Sequence, residues 1–171
     1  MEIRRAVREE LPRLMEIYDA ARAFMRSRGN NVQWVGGYPS RELVLAGIDA
    51  GEQYVCLCEG RVVATFWFAV APEPTYARIY EGRWLDEDRA GAPDEHAGRP
   101  YGVVHRLGSD GTCKGVGAAC LDWCFERCGN IRVDTHADNT VMQTLLERSG
   151  YTRCGVIFLA DGTPRDAFQK I

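Results

Sequence analysis

The stretch Leu107-Gly108-Ser109-Asp110-Gly111-Thr112-Cys113-Lys114-Gly115-Val116-Gly117-Ala118 decides how the rest of this chain is read. A strand-like run, Tyr101 to Leu107, feeds into it, and a helix-like run, Gly117 to Cys128, leaves it. Glycines let the backbone turn tightly and approach a ligand closely. A helix start offers free N–H groups and a partial positive charge. Together these features make an anion site, most often one for a phosphate or diphosphate. Two nucleotide signatures are missing. The P-loop pattern, in which GK is followed by Ser or Thr, does not occur, and Cys120 stands where GxGxxG needs its third glycine. What remains is Gly115-Val116-Gly117 at a helix start with Lys114 just before it.

Working outward, the elements alternate. Residues 2–7 read as a strand, and Leu11, Leu14, Met15, Tyr18, Ala21 and Met25 follow helical spacing over about 9–27. A loop with Gln33-Trp34 and Gly37-Tyr38-Pro39 follows, and Ser40 caps a second helix, 41–50. Residues 54–58 and 62–70 read as a hairpin turning at Glu59-Gly60. Residues 71–100 are proline-rich and acidic, which predicts a surface excursion with a helical turn around Tyr76–Glu81 and a solvated charge run at Asp86-Glu87-Asp88. Beyond the glycine stretch come a buried helix over 117–128, a strand over 130–135 and an amphipathic helix over 139–149 ended by Gly150. A last hairpin pairs 151–159 with 166–170 across Asp161-Gly162. This order predicts an α/β domain on one mixed, twisted sheet of six to seven strands flanked by about four helices, with residues 1–171 forming a single domain.

Composition sets further bounds. The chain has 171 residues, 46% of them hydrophobic and 26% charged, ordinary values for a soluble globular protein. A net charge of −3 argues against a nucleic-acid partner. No apolar run has membrane-spanning length and the N-terminus has no signal-peptide core, so a cytoplasmic protein is expected. Seven cysteines with no CxxC pair, and no His or carboxylate at ligand spacing, argue against a metal site. They read as small buried hydrophobes in a reducing compartment, except Cys113, whose loop position makes it a candidate reactive thiol.

The glycine stretch and the element order resemble the GNAT superfamily, the acyl-CoA-dependent N-acyltransferases. That family's diphosphate loop, Arg/Gln-x-x-Gly-x-Gly/Ala, falls on Thr112-Cys113-Lys114-Gly115-Val116-Gly117, with Thr112 departing at the first position. Asp134-Thr135-His136-Ala137-Asp138-Asn139 and Ser149-Gly150-Tyr151 also resemble it. The resemblance implies acetyl-CoA as donor, a small-molecule amine or exposed amino group as acceptor, and a fold that often forms homodimers. It implies cofactor contacts from Leu107, Gly108, Thr112, Cys113, Lys114, Gly115, Val116, Gly117, Ala118 and Asn139. It further implies a β-strand before the loop that splays from its neighbour, freeing backbone groups at 105–108.

Strand alternation places Tyr101, Val103, His105 and Leu107 on one face. His105 is therefore the candidate base, since its unperturbed pKa near 6.5 suits proton transfer, and Tyr101 is the second candidate. Trp34, Tyr38, Tyr80, Trp84 and His136 are candidate acceptor-pocket residues. Many family members carry a Tyr acid at the place that is Leu146 here. A non-catalytic acyl-CoA-binding module is the alternative that Leu146 favours.

Overall fold

The computed structural model describes residues 1–87 and 100–171, which form a mixed seven-stranded sheet and four α-helices. The strand order is β1-β2-β3-β4-β5-β7-β6. By chain segments, the protein forms two compact units, residues 1–69 with 104–123 and residues 70–103 with 124–171.

In the first unit, β1 (Glu2–Arg5) pairs antiparallel with β2 (Gln53–Cys58), which pairs antiparallel with β3 (Arg61–Val70). α1 (Leu11–Ser27) forms because Leu11, Leu14, Ile17, Tyr18, Ala21 and Met25 recur every three to four residues and are buried together. α2 (Arg41–Asp49) starts where the Ser40 hydroxyl accepts the Leu43 N–H at 3.1 Å, the expected cap. Val44 and Ile48 of α2 join Leu14, Tyr18 and Val55 in one core cluster. β4 (Gly102–Ser109) follows β3 in the sheet, and Asp110 beyond its end donates its N–H to the Val63 carbonyl at 3.0 Å. α3 (Val116–Cys128) packs Trp123 against Tyr54, Phe66 and Phe68, with Tyr54 and Phe66 stacked at 5.5 Å.

In the second unit, β5 (Ile131–Thr135) pairs in parallel with the first residues of β4, Gly102 with Ile131 and Val103 with Arg132. It pairs antiparallel with β7 (Pro164–Lys170), which pairs antiparallel with β6 (Thr152–Phe158). α4 (Thr140–Arg148) is capped by Asn139, whose side chain accepts the Met142 N–H at 3.1 Å. Leu146 of α4 is fully buried.

Residues 71–87 depart from the sequence reading. They are not a solvated excursion: Tyr76 and Trp84 are buried, and the helical turn lies at Pro74–Tyr76 rather than around 76–81. The acidic run is corrected as well. Asp86 is buried and ion-paired to Arg132 at 2.7 Å, while Asn130 and Gln169 each donate a hydrogen bond to it at 2.9 Å. Arg132 also lies 4.3 Å from the Trp84 ring centroid and 4.1 Å from that of Tyr101. Burial alone would push the Asp86 carboxyl up; the hydrogen bonds and the Arg132 charge outweigh it and hold the group below the usual carboxylate value. The segment lies close against β6: a Cβ on Gly82 would sit 1.9 Å from the Cys154 carbonyl oxygen, so only glycine fits. Asp88 and the remainder of the excursion to residue 99 lie outside the described residues. Among the described residues no helix is long and apolar enough to cross a membrane.

Candidate functional site

The glycine loop leaves β4 and opens α3 as expected. Asp110 organises its first half. Its Oδ1 accepts the Thr112 N–H at 2.9 Å and the Thr112 hydroxyl at 2.6 Å, while Oδ2 pairs with Arg13 of α1. Burial pushes the Asp110 carboxyl up, but these donors outweigh it and hold the carboxyl below its ordinary value. Both Thr112 donors are thereby spent inside the loop.

Gly111 and Gly115 both take positive φ, +76°, and a Cβ built on either would meet nothing within 4 Å. The loop backbone is thus bare on the side a side chain would occupy. The Ala119 N–H donates to the Gly115 carbonyl at 3.1 Å, closing the first turn of α3. The amides of Val116, Gly117 and Ala118 precede that closure and have no acceptor within the helix. Lys114 is exposed beside them. Open backbone, helix-start amides and a lysine fit a diphosphate.

Cys113 departs from the expectation of an exposed free thiol. It is disulfide-bonded to Cys58 at the end of β2, with a Cα–Cα separation of 6.6 Å. The reading of the other cysteines as small buried hydrophobes is likewise corrected for Cys58. Outside this disulfide, Cys56, Cys120, Cys124 and Cys154 are buried and Cys128 is half-buried. Among the described residues no group of His, Cys, Asp and Glu is arranged to hold a metal ion.

β4 carries a break that the sequence does not announce. Arg106 has φ +55°, a left-handed conformation uncommon for a residue with a Cβ, inside a strand. Its carbonyl accepts the Tyr18 hydroxyl at 3.0 Å, and that hydroxyl accepts from Gln53 Nε2 at 2.9 Å. Gln53 Nε2 also donates to Thr65 at 2.8 Å. Tyr18 is fully buried, and burial pushes its hydroxyl pKa up to about 12, with the nearby Arg106 charge acting the other way. A residue in this conformation interrupts the two-residue alternation, so the argument that gives His105 and Leu107 one face does not carry across Arg106. His105 lies nearly parallel to Trp67 of β3, ring centroids 5.5 Å apart with 22° between planes, and is half-buried. Leu107 is half-buried and Gly108 buried next to it on β4.

The aromatic loop between α1 and α2 stands beside Tyr18. Trp34 meets the Tyr18 ring edge-on at 5.6 Å, and Tyr38, 41% exposed, lies 6.5 Å from Trp34. Arg22 of α1 ties this loop down by donating to the Tyr38 carbonyl at 2.9 Å. Tyr18, Trp34, Tyr38, Trp67, His105, Arg106 and the glycine loop therefore belong to one unit. Tyr18 and Arg106 are not among the site residues expected from sequence, where Tyr18 reads only as part of the apolar face of the first helix.

The other expected residues lie in the second unit. Tyr101 accepts the Glu73 N–H at 2.9 Å through its hydroxyl. His136 Nδ1 accepts the Asp138 N–H at 3.0 Å, beside the Asn139 cap. Tyr80 bridges to Val156 of β6 and meets Phe158 edge-on at 5.1 Å. Trp84 is fully buried and donates its indole N–H to the Tyr76 carbonyl at 3.1 Å; it packs the core of that unit instead of lining a surface.

No family profile matches the chain, and no curated protein matches its sequence. Solved structures do. One is an acetyltransferase of the GNAT family from Streptococcus agalactiae, 30% identical, matched over 99% of this chain and 94% of that one with a TM-score of 0.86. Two others share the fold at lower identity. A ribosomal-protein-alanine N-acetyltransferase from Brucella melitensis is 17% identical, covered over 100% and 99% of the two chains, with a TM-score of 0.62. A GNAT superfamily phosphinothricin acetyltransferase from Sinorhizobium meliloti, in complex with acetyl-CoA, is 18% identical, covered over 99% and 86%, with a TM-score of 0.60.

Proposed function

Since the chain belongs to the GNAT family of acetyltransferases, we propose that it moves an acetyl group from acetyl-CoA to a primary amine by direct attack. The observation that carries this is the bare glycine loop at the start of α3, with Gly111 and Gly115 open at positive φ. Backbone amides from Cys113 to Ala118, with Lys114, hold the diphosphate. Leu107 and Gly108, the last part of β4 before the loop, carry the pantetheine arm along their backbone.

The transfer balances simply. The amine nitrogen forms a bond to the acetyl carbon, the carbon–sulfur bond breaks, and the sulfur leaves with the electron pair. The amine loses one proton, and His105 is the group that takes it, either directly or through a water. Its ring, stacked on Trp67, is fixed in orientation. A thiol with an ordinary pKa near 8.5 leaves as an anion without an acid, so the apolar Leu146 does not block the reaction. Trp34 and Tyr38 form the wall against which the acceptor rests. The neighbours of this fold act on acceptors as different as a ribosomal protein and phosphinothricin, so the fold alone names no acceptor.

The test is thiol release from acetyl-CoA with a panel of primary amines, each product identified by mass. Amine-dependent release with one N-acetyl product per thiol is expected. His105→Gln should lower kcat by roughly 10²–10⁴-fold, as loss of a general base does. Acetyl-CoA binding that no amine converts into thiol release would instead make the chain an acyl-CoA-binding module.

A further inference from the structure

Arg106 has more structure spent on it than a diphosphate loop requires. It sits in the left-handed region inside β4, and the buried Tyr18 hydroxyl fixes its carbonyl. Its guanidinium lies 5.7 Å from the Trp67 ring centroid, on the same indole against which His105 stacks. That distance is within cation–π range. The N–H donors lie in the plane of the guanidinium; Nε is sealed from solvent, so an anion arriving from solvent meets the terminal nitrogens. Among the described residues Arg106 forms no ion pair. On the far side of that indole, Glu52 is engaged otherwise: it accepts the Trp67 indole N–H at 3.0 Å. Four other arginines of this unit do hold carboxylates: Arg4 with Glu10, Arg8 with Asp49, Arg13 with Asp110 and Arg22 with Asp19. A half-buried cation with no ion pair among the described residues lacks one thing, a planar anion.

We propose that Arg106 receives a carboxylate of the acceptor, so that the substrate is a small amine carrying a negative charge, of the α-amino acid class. The proposal rests on the acyl-transfer reading above and deepens it. The guanidinium fork matches a carboxylate through two parallel hydrogen bonds, a geometry that lysine cannot reproduce. In an α-amino acid the amine and the carboxylate share one carbon. Anchoring the carboxylate at Arg106 therefore holds the amine beside the adjacent residue, His105, the proposed base. Trp67 keeps both side chains in register, and Trp34 and Tyr38 face the acceptor's side chain.

The experiment compares α-amino acids with their primary amides, which keep the amine and lose the charge. The wild-type chain should show kcat/KM at least about tenfold higher for the acids, because the neutral amide leaves the Arg106 charge without its anion. In Arg106→Gln that preference should collapse towards one, chiefly through a higher KM for the acids. Arg106→Lys, which keeps the charge and loses the fork, should retain only part of it and serves if the glutamine variant does not fold. Calorimetry with CoA accompanies each variant. Transfer to amines with no preference for the acid, or a preference that survives both substitutions, overturns the proposal while leaving acyl transfer standing. Absence of both CoA binding and transfer overturns the two together.

Discussion

Tyr18→Phe removes one oxygen atom from the middle of the first unit and nothing else. The ring, fully buried, keeps its volume and its edge contact with Trp34. Two hydrogen bonds go, the donation to the Arg106 carbonyl at 3.0 Å and the acceptance from Gln53 Nε2 at 2.9 Å. Each is worth about 1 kcal/mol net. The Gln53 amide keeps Thr65 as an acceptor, so its loss is partial. The Arg106 carbonyl loses its Tyr18 donor, and a buried acceptor that this leaves unmet costs about 1–3 kcal/mol. The left-handed Arg106 backbone, itself costing on the order of 1–3 kcal/mol, then loses the contact that fixes it. The expected destabilisation is about 2–4 kcal/mol. With a urea m-value of about 2 kcal/mol/M, the unfolding midpoint should fall by about 1–2 M. Tryptophan fluorescence reports it through the four tryptophans. The same variant should lower kcat/KM more than it lowers CoA affinity, since the glycine loop does not depend on Tyr18. A midpoint shift below about 0.25 M would show that the Tyr18 hydroxyl does not hold β4, and the account of the Arg106 break would fail.

Three further outcomes follow from the same structure. Gly117→Glu places a charged side chain at the diphosphate amides, and CoA affinity by calorimetry should drop at least tenfold, about 1.4 kcal/mol, in a folded protein; unchanged affinity would remove the loop from the site. Asp86 and Asp110 both have depressed carboxyl pKa values, so their stabilisation is present above the ordinary carboxylate value near 4 and is lost as pH falls through their lower folded values. Asp86→Asn should cost about 3–5 kcal/mol at neutral pH by leaving Arg132 buried and unpaired, and should flatten the acid limb of the stability curve; an acid limb unchanged by this substitution would contradict the assignment. Alkylation in denaturant should count five thiols before reduction and seven after, and reduction should cost about 2–4 kcal/mol for a cross-link spanning 55 positions; seven thiols without reductant would show that Cys58 and Cys113 are not bonded.

Most elements were legible in the sequence because local signals point the same way. The apolar spacing of Leu14, Tyr18 and Ala21, the Ser40 cap and the Glu59-Gly60 turn act within a few residues of each other, and each matches the structure. The glycine loop was legible for the same reason. What escaped depends on partners far away in the chain. Asp86 reads as a solvated charge until Arg132, 46 positions on, is beside it. Cys58 and Cys113 are 55 positions apart with nothing in their spacing to join them. Tyr76 and Trp84 sit in a proline-rich, acidic segment whose composition hides two buried aromatics. The Arg106 break is the most consequential miss. Alternation assumes unbroken extended backbone, and the Tyr18 hydroxyl that fixes the Arg106 carbonyl is 88 positions away.

In the proposed function the loop from Cys113 to Ala118 holds the donor's diphosphate. A crystal structure of the protein with acetyl-CoA tests it directly. The diphosphate oxygens should lie within about 2.7–3.2 Å of backbone nitrogens in that loop, with no rearrangement of Gly111 or Gly115. A diphosphate bound elsewhere, or a loop that must refold to reach it, would contradict the account.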